Sequence, residues 1–495
     1  MNHMSVSFAI FFGFVISVAI VFLSSFVFNS YFLLVAACLL FLSVVILYVR
    51  SKQANSGSLM LLVLTSFLFL WGRAILGIID STFDISIFEL REGVDVSDVG
   101  LRIYLEVIYA SMVTFSVTLL CLSMTGNYNA DQKCMHWSGK GLYYLASWKL
   151  LFNVGVVFSV LQAAFFLRHF MSGGNYYEIF ALGKDVVTFP GLSFLAGFLF
   201  IGYVGVLVFS GGEKIRLGKY VFIFVVVSLL QLIKGSRGEV FSQILVGLWL
   251  YYFNSKRSPK PLNLLVAFLG LVILAEFVSF LRADDLDKIG DDKDVLLALK
   301  WFIYSQGASG ELVGVAVDFF EVGLNSFRFV VSPLLNPFRR LFDSGFGGQT
   351  VDYGESSGLL AHEISWRLSP DLYLSGHGVG TSYIAESFLA MGLVGVIVAS
   401  SLMIYLVSDP RGVFNRSKIG FFVFACSLPY ILFTPRESLV FFVVPAIKAY
   451  VMLIIVNIIY EKFGHRYNTN LQSISSVNGD SSELPAKRSR GGHSG

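Results

Sequence analysis

The chain has 495 residues, 55% of them hydrophobic and 14% charged, with a formal net charge of +3 and a mean hydropathy of +0.72. Soluble chains carry about 25% charged residues, so a soluble globular fold is excluded. The small net charge also leaves no electrostatic footprint for nucleic acid.

Runs of roughly 20 apolar residues, each able to cross a hydrocarbon core of ~30 Å, recur along most of the length. The expected fold is an all-α polytopic integral membrane protein. Twelve spans are predicted near residues 5–28, 31–49, 57–79, 101–124, 148–167, 187–210, 219–233, 239–253, 262–281, 380–407, 419–433 and 439–460. The first apolar run is too long for a secretory signal core and lacks a small-residue cleavage site, so it reads as a retained span. Four cysteines, Cys38, Cys121, Cys134 and Cys426, show no CxxC pairing. A disulfide framework and a cysteine metal site are not expected.

Lys and Arg in short loops set the orientation. The loops "RSKQ" at 50, "GGEKIRLGK" at 211, "NSKRSPKP" at 254, "DPRGVFNRSK" at 409 and "EKFGHRY" at 461 are basic, and 125–147, with Lys133 and Lys140, alternates in phase with them. The connection "STFDISIFELREGVDVSDVG" has five acids against one arginine. Both termini are therefore expected in the cytoplasm. The organisation reads as transmembrane helices 1–9 over residues 1–281, a large partly helical outer loop over 282–379, helices 10–12 over 380–460, and a polar, disordered cytoplasmic tail over 461–495. The loop is long enough to be a lid or binding surface rather than a linker. No internal repeat of the kind common in transporters is visible.

This orientation puts unusual basic charge outside: Arg168, Lys234, Arg237, Arg282, Arg339, Arg340, Arg367 and Arg436. Snorkelling side chains are the plain explanation. It suits the very short turns "IKGSRGE" and "FTPRES" least, since their charge lies at the membrane boundary, where ionisable groups mark substrate paths. Arg73, Arg102 and Glu106 are the charges that could lie within spans. A lipid-linked pyrophosphate is the anion that needs several cations at such a surface. Arginine's planar fork pairs with phosphate oxygens. Gly235 and Gly238 allow close backbone approach, and a helix starting at Glu239 aims its N-terminal dipole outward.

Three stretches carry a family resemblance: "KGSRGEVFSQIL", "GHGVGTSYIAESFLAMGLVGVIV" and "FTPRESLVFFVVPAIK". In order and spacing, over about residues 150–460, the chain resembles the O-antigen polymerase (Wzy) family of oligosaccharide repeat-unit polymerases. The resemblance implies an integral-membrane glycosyltransferase of the bacterial inner membrane. It implies undecaprenyl-pyrophosphate-linked oligosaccharides as substrates at the periplasmic face, no metal and no other cofactor, and a flippase and a chain-length regulator as neighbours. Lys234, Arg237 and Arg436 would hold pyrophosphate, and Arg168 and Arg367 would contact a second pyrophosphate or the sugars.

For the general base, Glu386 and His377 are the leading candidates, with His362, Glu437 and Glu239 behind them. Glu386 is also readable as a carboxylate satisfying backbone donors, Glu437 as the partner of Arg436, His377 as a tight-turn residue, and Glu239 as a helix cap. Trp301, Tyr304, Tyr353, Trp366 and Tyr373 could stack on sugar rings or merely pack and anchor. Two alternatives stand beside the polymerase: an O-antigen ligase with the same architecture, and a transporter, which would place charge deep within several spans.

Overall fold

In a computed structural model, the described residues are 3–26, 28–29, 31–51, 55–85, 87–88, 94–124, 142–174, 178, 188, 191–210, 217–234, 237–254, 266, 270, 295–342, 348–408 and 418–464. The expected span 262–281 apart from residues 266 and 270, Cys134, Gly235, Arg282 and the tail beyond 464 lie outside them, as do the side chains of Lys234, Arg237 and Arg340.

The other eleven expected spans have helices at their places. They are α1 (His3–Ser25), α2 (Tyr31–Ser51), α3 (Asn55–Ser66) continuing through a π turn, Phe67–Trp71, into α4 (Gly72–Ile79), α5 (Asp98–Met124), α6 (Leu142–Met171), and α7 (Leu192–Ala196) followed by α8 (Phe198–Phe209). Then come α9 (Leu217–Leu230) with a 3-10 turn, Gln231–Lys234, and α10 (Arg237–Asn254). The segment expected as a loop supplies α11 (Val295–Gln306), α12 (Ala308–Phe319), α13 (Arg328–Phe342), α14 (Val351–Ser356), α15 (Leu360–Leu368) and α16 (Pro370–Leu374). The last three spans are α17 (Tyr383–Ser408), α18 (Lys418–Phe433) and α19 (Val443–Ile459). Eight helical stretches among the described residues are long and apolar enough to cross a membrane, and two shorter apolar helices cover Tyr31–Leu47 and Leu217–Ile233. The protein is thus a multi-pass membrane protein. Its one sheet among the described residues is a two-residue antiparallel pair, Ile87–Phe88 against Val94–Asp95, in the acidic connection.

Burial follows the solvent. α1 and α2 expose Phe8, Phe11, Phe12, Phe22 and Phe41, a surface that suits lipid and not water. α5 is the opposite: it packs against α1, α2, α12 and α17 and buries most of its length. A second group forms where α6 packs on α8 and α9, and α18 packs on α8, α10 and α19. α3 touches α10, α17 and α18 and so joins the two groups. Small residues let these helices approach, as in membrane bundles generally. Between α5 and α12, a Cβ built on Gly100 would lie 2.5 Å from the Gly314 carbonyl oxygen.

α12 is the departure from a plain outer loop. Ser309–Ala316 are all buried against α5, α17 and the π turn. The segment is helical over much of its described length, and α12 packs into the bundle itself. The seal is ionic: Arg73 Nε lies 2.9 Å from Glu311 Oε2, with both side chains 0% exposed. Arg73 also donates to Tyr304 Oη at 3.0 Å and stacks over that ring, 3.9 Å from its centroid. Of the charges that could lie within spans, Arg73 is therefore deep and paired. Arg102 is exposed and bonded to Glu106 at 2.9 Å. On the rim, Lys300 Nζ meets Asp80 Oδ2 at 2.9 Å. That bond and those from Thr82 hold the Asp80 carboxyl down at about 2, so the contact is intact at neutral pH.

Removing one member of a buried pair strands the other charge, at about 3–5 kcal/mol. Glu311→Leu is therefore expected to lower the thermal unfolding midpoint of the detergent-solubilised protein sharply. The double variant Arg73→Met/Glu311→Leu should recover most of the loss.

Candidate functional site

The site is built around Glu386, in the first turn of α17. The carboxylate is 0% exposed. Oε1 accepts from Thr381 Oγ1 at 3.1 Å. Oε2 accepts from Ser438 Oγ at 2.8 Å and from the Leu439 backbone N–H at 3.0 Å. A buried carboxylate demands such partners. Here they come from both sides of the bundle, so Glu386 ties the segment entering α17 to the turn between α18 and α19.

That turn carries Arg436. Thr434–Arg436 form one 3-10 turn after α18, closed by Glu437 N–H donating to the Thr434 carbonyl at 3.1 Å. Arg436 Nη1 donates to Gln306 Oε1 at 2.5 Å. Its guanidinium lies 5.7 Å from the centroid of Phe69, which also meets Phe433 edge-on at 5.5 Å. Phe69 belongs to the π turn, a local irregularity that often marks functional positions. Gly380 runs alongside: a Cβ there would sit 3.5 Å from the Arg436 carbonyl oxygen and 3.6 Å from its Cγ.

The cationic hairpin reaches the same turn. Gly238, second residue of α10, packs on the Phe433 ring so closely that a Cβ there would overlap it. Glu239 Oε1 accepts from Tyr430 Oη and from Gln243 Nε2, both at 3.2 Å. Glu239 thereby pins α10 to α18. On the other flank, Gln231 Nε2 donates to the Ser159 carbonyl of α6 at 2.6 Å. The start of α10 is thereby held against Phe433, the residue before the Arg436 turn, and the turn that ends at Lys234 is tied to α6.

The remaining expected site residues have other engagements. His377 is partly exposed; its Nδ1 lies 2.9 Å from Ser375 Oγ, and its carbonyl accepts from Gln349 Nε2 at 2.9 Å. It stands three residues before Gly380, on the segment that continues to Thr381 and Glu386. Arg367 donates to the Phe319 carbonyl at 2.9 Å and covers the Phe320 ring at 4.4 Å, closing the end of α12. Arg168 is exposed at the end of α6. Neither arginine takes part in the contacts that join Arg436 to Glu386. Glu437 is half-buried beside Arg436. Arg339 bonds the Ser357 carbonyl at 3.2 Å.

The aromatic residues of the segment between α10 and α17 mainly pack. Tyr353 and Tyr373 are buried around His362, whose Nδ1 is 2.9 Å from Tyr373 Oη. Trp366 meets Tyr373 edge-on, and Tyr304 bonds Arg73. Trp301 is exposed. Nearby, burial pushes the Glu363 carboxyl up while the Arg328 guanidinium, 2.7 Å away, draws it down.

Sequence reasoning missed Gln306, Thr381, Ser438 and Phe69. Gln306 and Ser438 stand among other polar residues, in "FIYSQGASG" and "PRESLVFF", and nothing singles them out. Phe69 left no trace either, because an aromatic in an apolar run is ordinary. Among the described residues, no group of three or more His, Cys, Asp or Glu is placed to hold a metal ion.

Comparison with known proteins finds no matching curated protein and no matching solved structure. The family model for the O-antigen polysaccharide polymerase Wzy matches residues 5–462. Because that match spans nearly the whole chain, the protein belongs to the O-antigen polysaccharide polymerase Wzy family.

Proposed function

We propose that this protein polymerises undecaprenyl-pyrophosphate-linked repeat units at the periplasmic face of the bacterial inner membrane, with twelve spans, both termini in the cytoplasm, and a flippase and a chain-length regulator as partners. The observation that carries the reading is the convergence of two short cationic turns. Phe433 packs on Gly238, and the following turn presents Arg436 beside Gly380. In this reading Lys234, Arg237 and Arg436 bind one pyrophosphate between them. Arg168 and Arg367, set apart from that cluster, serve the incoming sugar chain or its carrier.

In this reading a hydroxyl of the new repeat unit attacks the anomeric carbon of the growing chain. A glycosidic C–O bond forms, and the bond from that carbon to the pyrophosphate oxygen breaks. The electron pair leaves with undecaprenyl pyrophosphate, whose charge the arginines stabilise as it develops. The hydroxyl proton passes to a side-chain base. His377 is assigned that role, being partly exposed at the start of the segment running past Arg436. Glu386 is assigned the anchoring of the Arg436 turn, because its two oxygens are taken by Thr381, Ser438 and Leu439. The leaving group supplies the driving force, so no nucleotide is required.

Arg436→Ala and Arg237→Ala are each expected to abolish chain extension in a reconstituted assay with a synthetic lipid-linked repeat and no ion gradient. Insertion should be unchanged, and lysine should restore activity only in part, since it lacks the fork. Wild-type chain lengths from either alanine variant would refute the pyrophosphate role.

His377→Ala should cost about 10²–10⁴-fold in rate. Glu386→Gln should stay within about tenfold, because an amide oxygen still accepts from Ser438 and Leu439 while Thr381 can turn to accept. Glu386→Leu should be inactive. Loss in the Gln variant as deep as in the Leu variant would return the base role to Glu386.

A further inference from the structure

We propose that Gln306 is a positioning residue for the pyrophosphate site: a neutral acceptor that aims the Arg436 guanidinium without adding a negative charge beside the substrate. The proposal rests on the reading of Arg436 as a pyrophosphate ligand.

Gln306 ends α11, and its Oε1 accepts from Arg436 Nη1 at 2.5 Å. A guanidinium only donates, so the amide atom facing it is the oxygen. Gln306 is itself held in place by the corner that carries it. The next residue, Gly307, lies so close to Arg73 that a Cβ there would sit 2.5 Å from the Arg73 Cβ. Arg73 is locked by Glu311, one turn into α12, and its ring partner Tyr304 stands two residues before Gln306. The α11–α12 corner is therefore clamped by a buried ion pair on one side and delivers Gln306 to the Arg436 turn on the other. α12 itself packs against residues 434–436.

A long arginine in a short turn has many rotamers, and fixing its fork before the substrate arrives removes that ordering cost from binding. A carboxylate could fix it too, but its charge would neutralise the guanidinium and repel the phosphate oxygens. An amide takes one donor and adds no charge. This gives the segment between α10 and α17 a part in the reaction that is separate from any contact with sugar.

The test uses the purified full chain in vesicles with a synthetic undecaprenyl-pyrophosphate-linked repeat unit. Gln306→Met is expected to lower kcat/KM about tenfold or more, the scale of a lost bond to a charged group. Gln306→Glu keeps size and acceptor, and is expected to raise KM about tenfold or more by adding charge. If the Met variant fails to fold, the Glu variant decides alone. In an Arg436→Lys background, where no fork remains to be aimed, Gln306→Met should cost less than about twofold further. Wild-type kinetics in both single variants, or full additivity with Arg436→Lys, would overturn the proposal. Wild-type activity of Arg436→Ala would instead bring down the pyrophosphate reading on which it rests.

Discussion

A carboxylate with no exposed surface, placed at the end of a membrane span, must find donors or lose its charge. Glu386 finds three, from Thr381, Ser438 and Leu439. Two of them belong to the turn beyond α18, so the demand of one buried group fixes the distance between α17 and the start of α19. The alternative for that turn, free movement at the bundle surface, would leave the carboxylate unsatisfied. Arg436 is held in place because it shares the turn with Ser438.

The rest of the site is hung on that turn by contacts of different kinds. Phe433 closes on Gly238 and on Phe69. Glu239 reaches Tyr430 from the facing helix. Gln306 arrives from the segment between spans, through a corner braced by Arg73 and Glu311. Each tie joins residues from helices far apart in the chain, and of their members Glu386, Glu239, Arg436 and Arg73 were conspicuous as charges in or beside apolar runs. The Arg73–Glu311 pair has a second effect. It makes α12 a bundle helix despite glycines and a carboxylate that mark it in sequence as a surface segment.

The spans were legible because apolar length is a strong and local signal. α5 differs from its predicted bounds by three residues at its start, and α6 begins six residues before its predicted span and ends four after it. The break between α7 and α8 at Gly197, and the π turn within the third span, are backbone details that hydropathy averages away. The two cationic turns were legible as rare charge at a membrane boundary. Their meeting was not, since it depends on which helices neighbour which. The hydroxyls of Thr381 and Ser438 carry no sequence signal of their own; only a buried carboxylate gives them a purpose.

α17 is not one rod. At Met391 and Gly392 the backbone leaves the helix, Gly392 with φ +63°, a conformation that favours glycine. The Leu389 carbonyl, near the break, is taken by the Gly323 N–H at 2.8 Å. The half bearing Glu386 therefore points where this joint sends it, independently of the half that follows. A side chain at position 392 would meet open space and still strain this joint, so the demand there is on the backbone and not on packing.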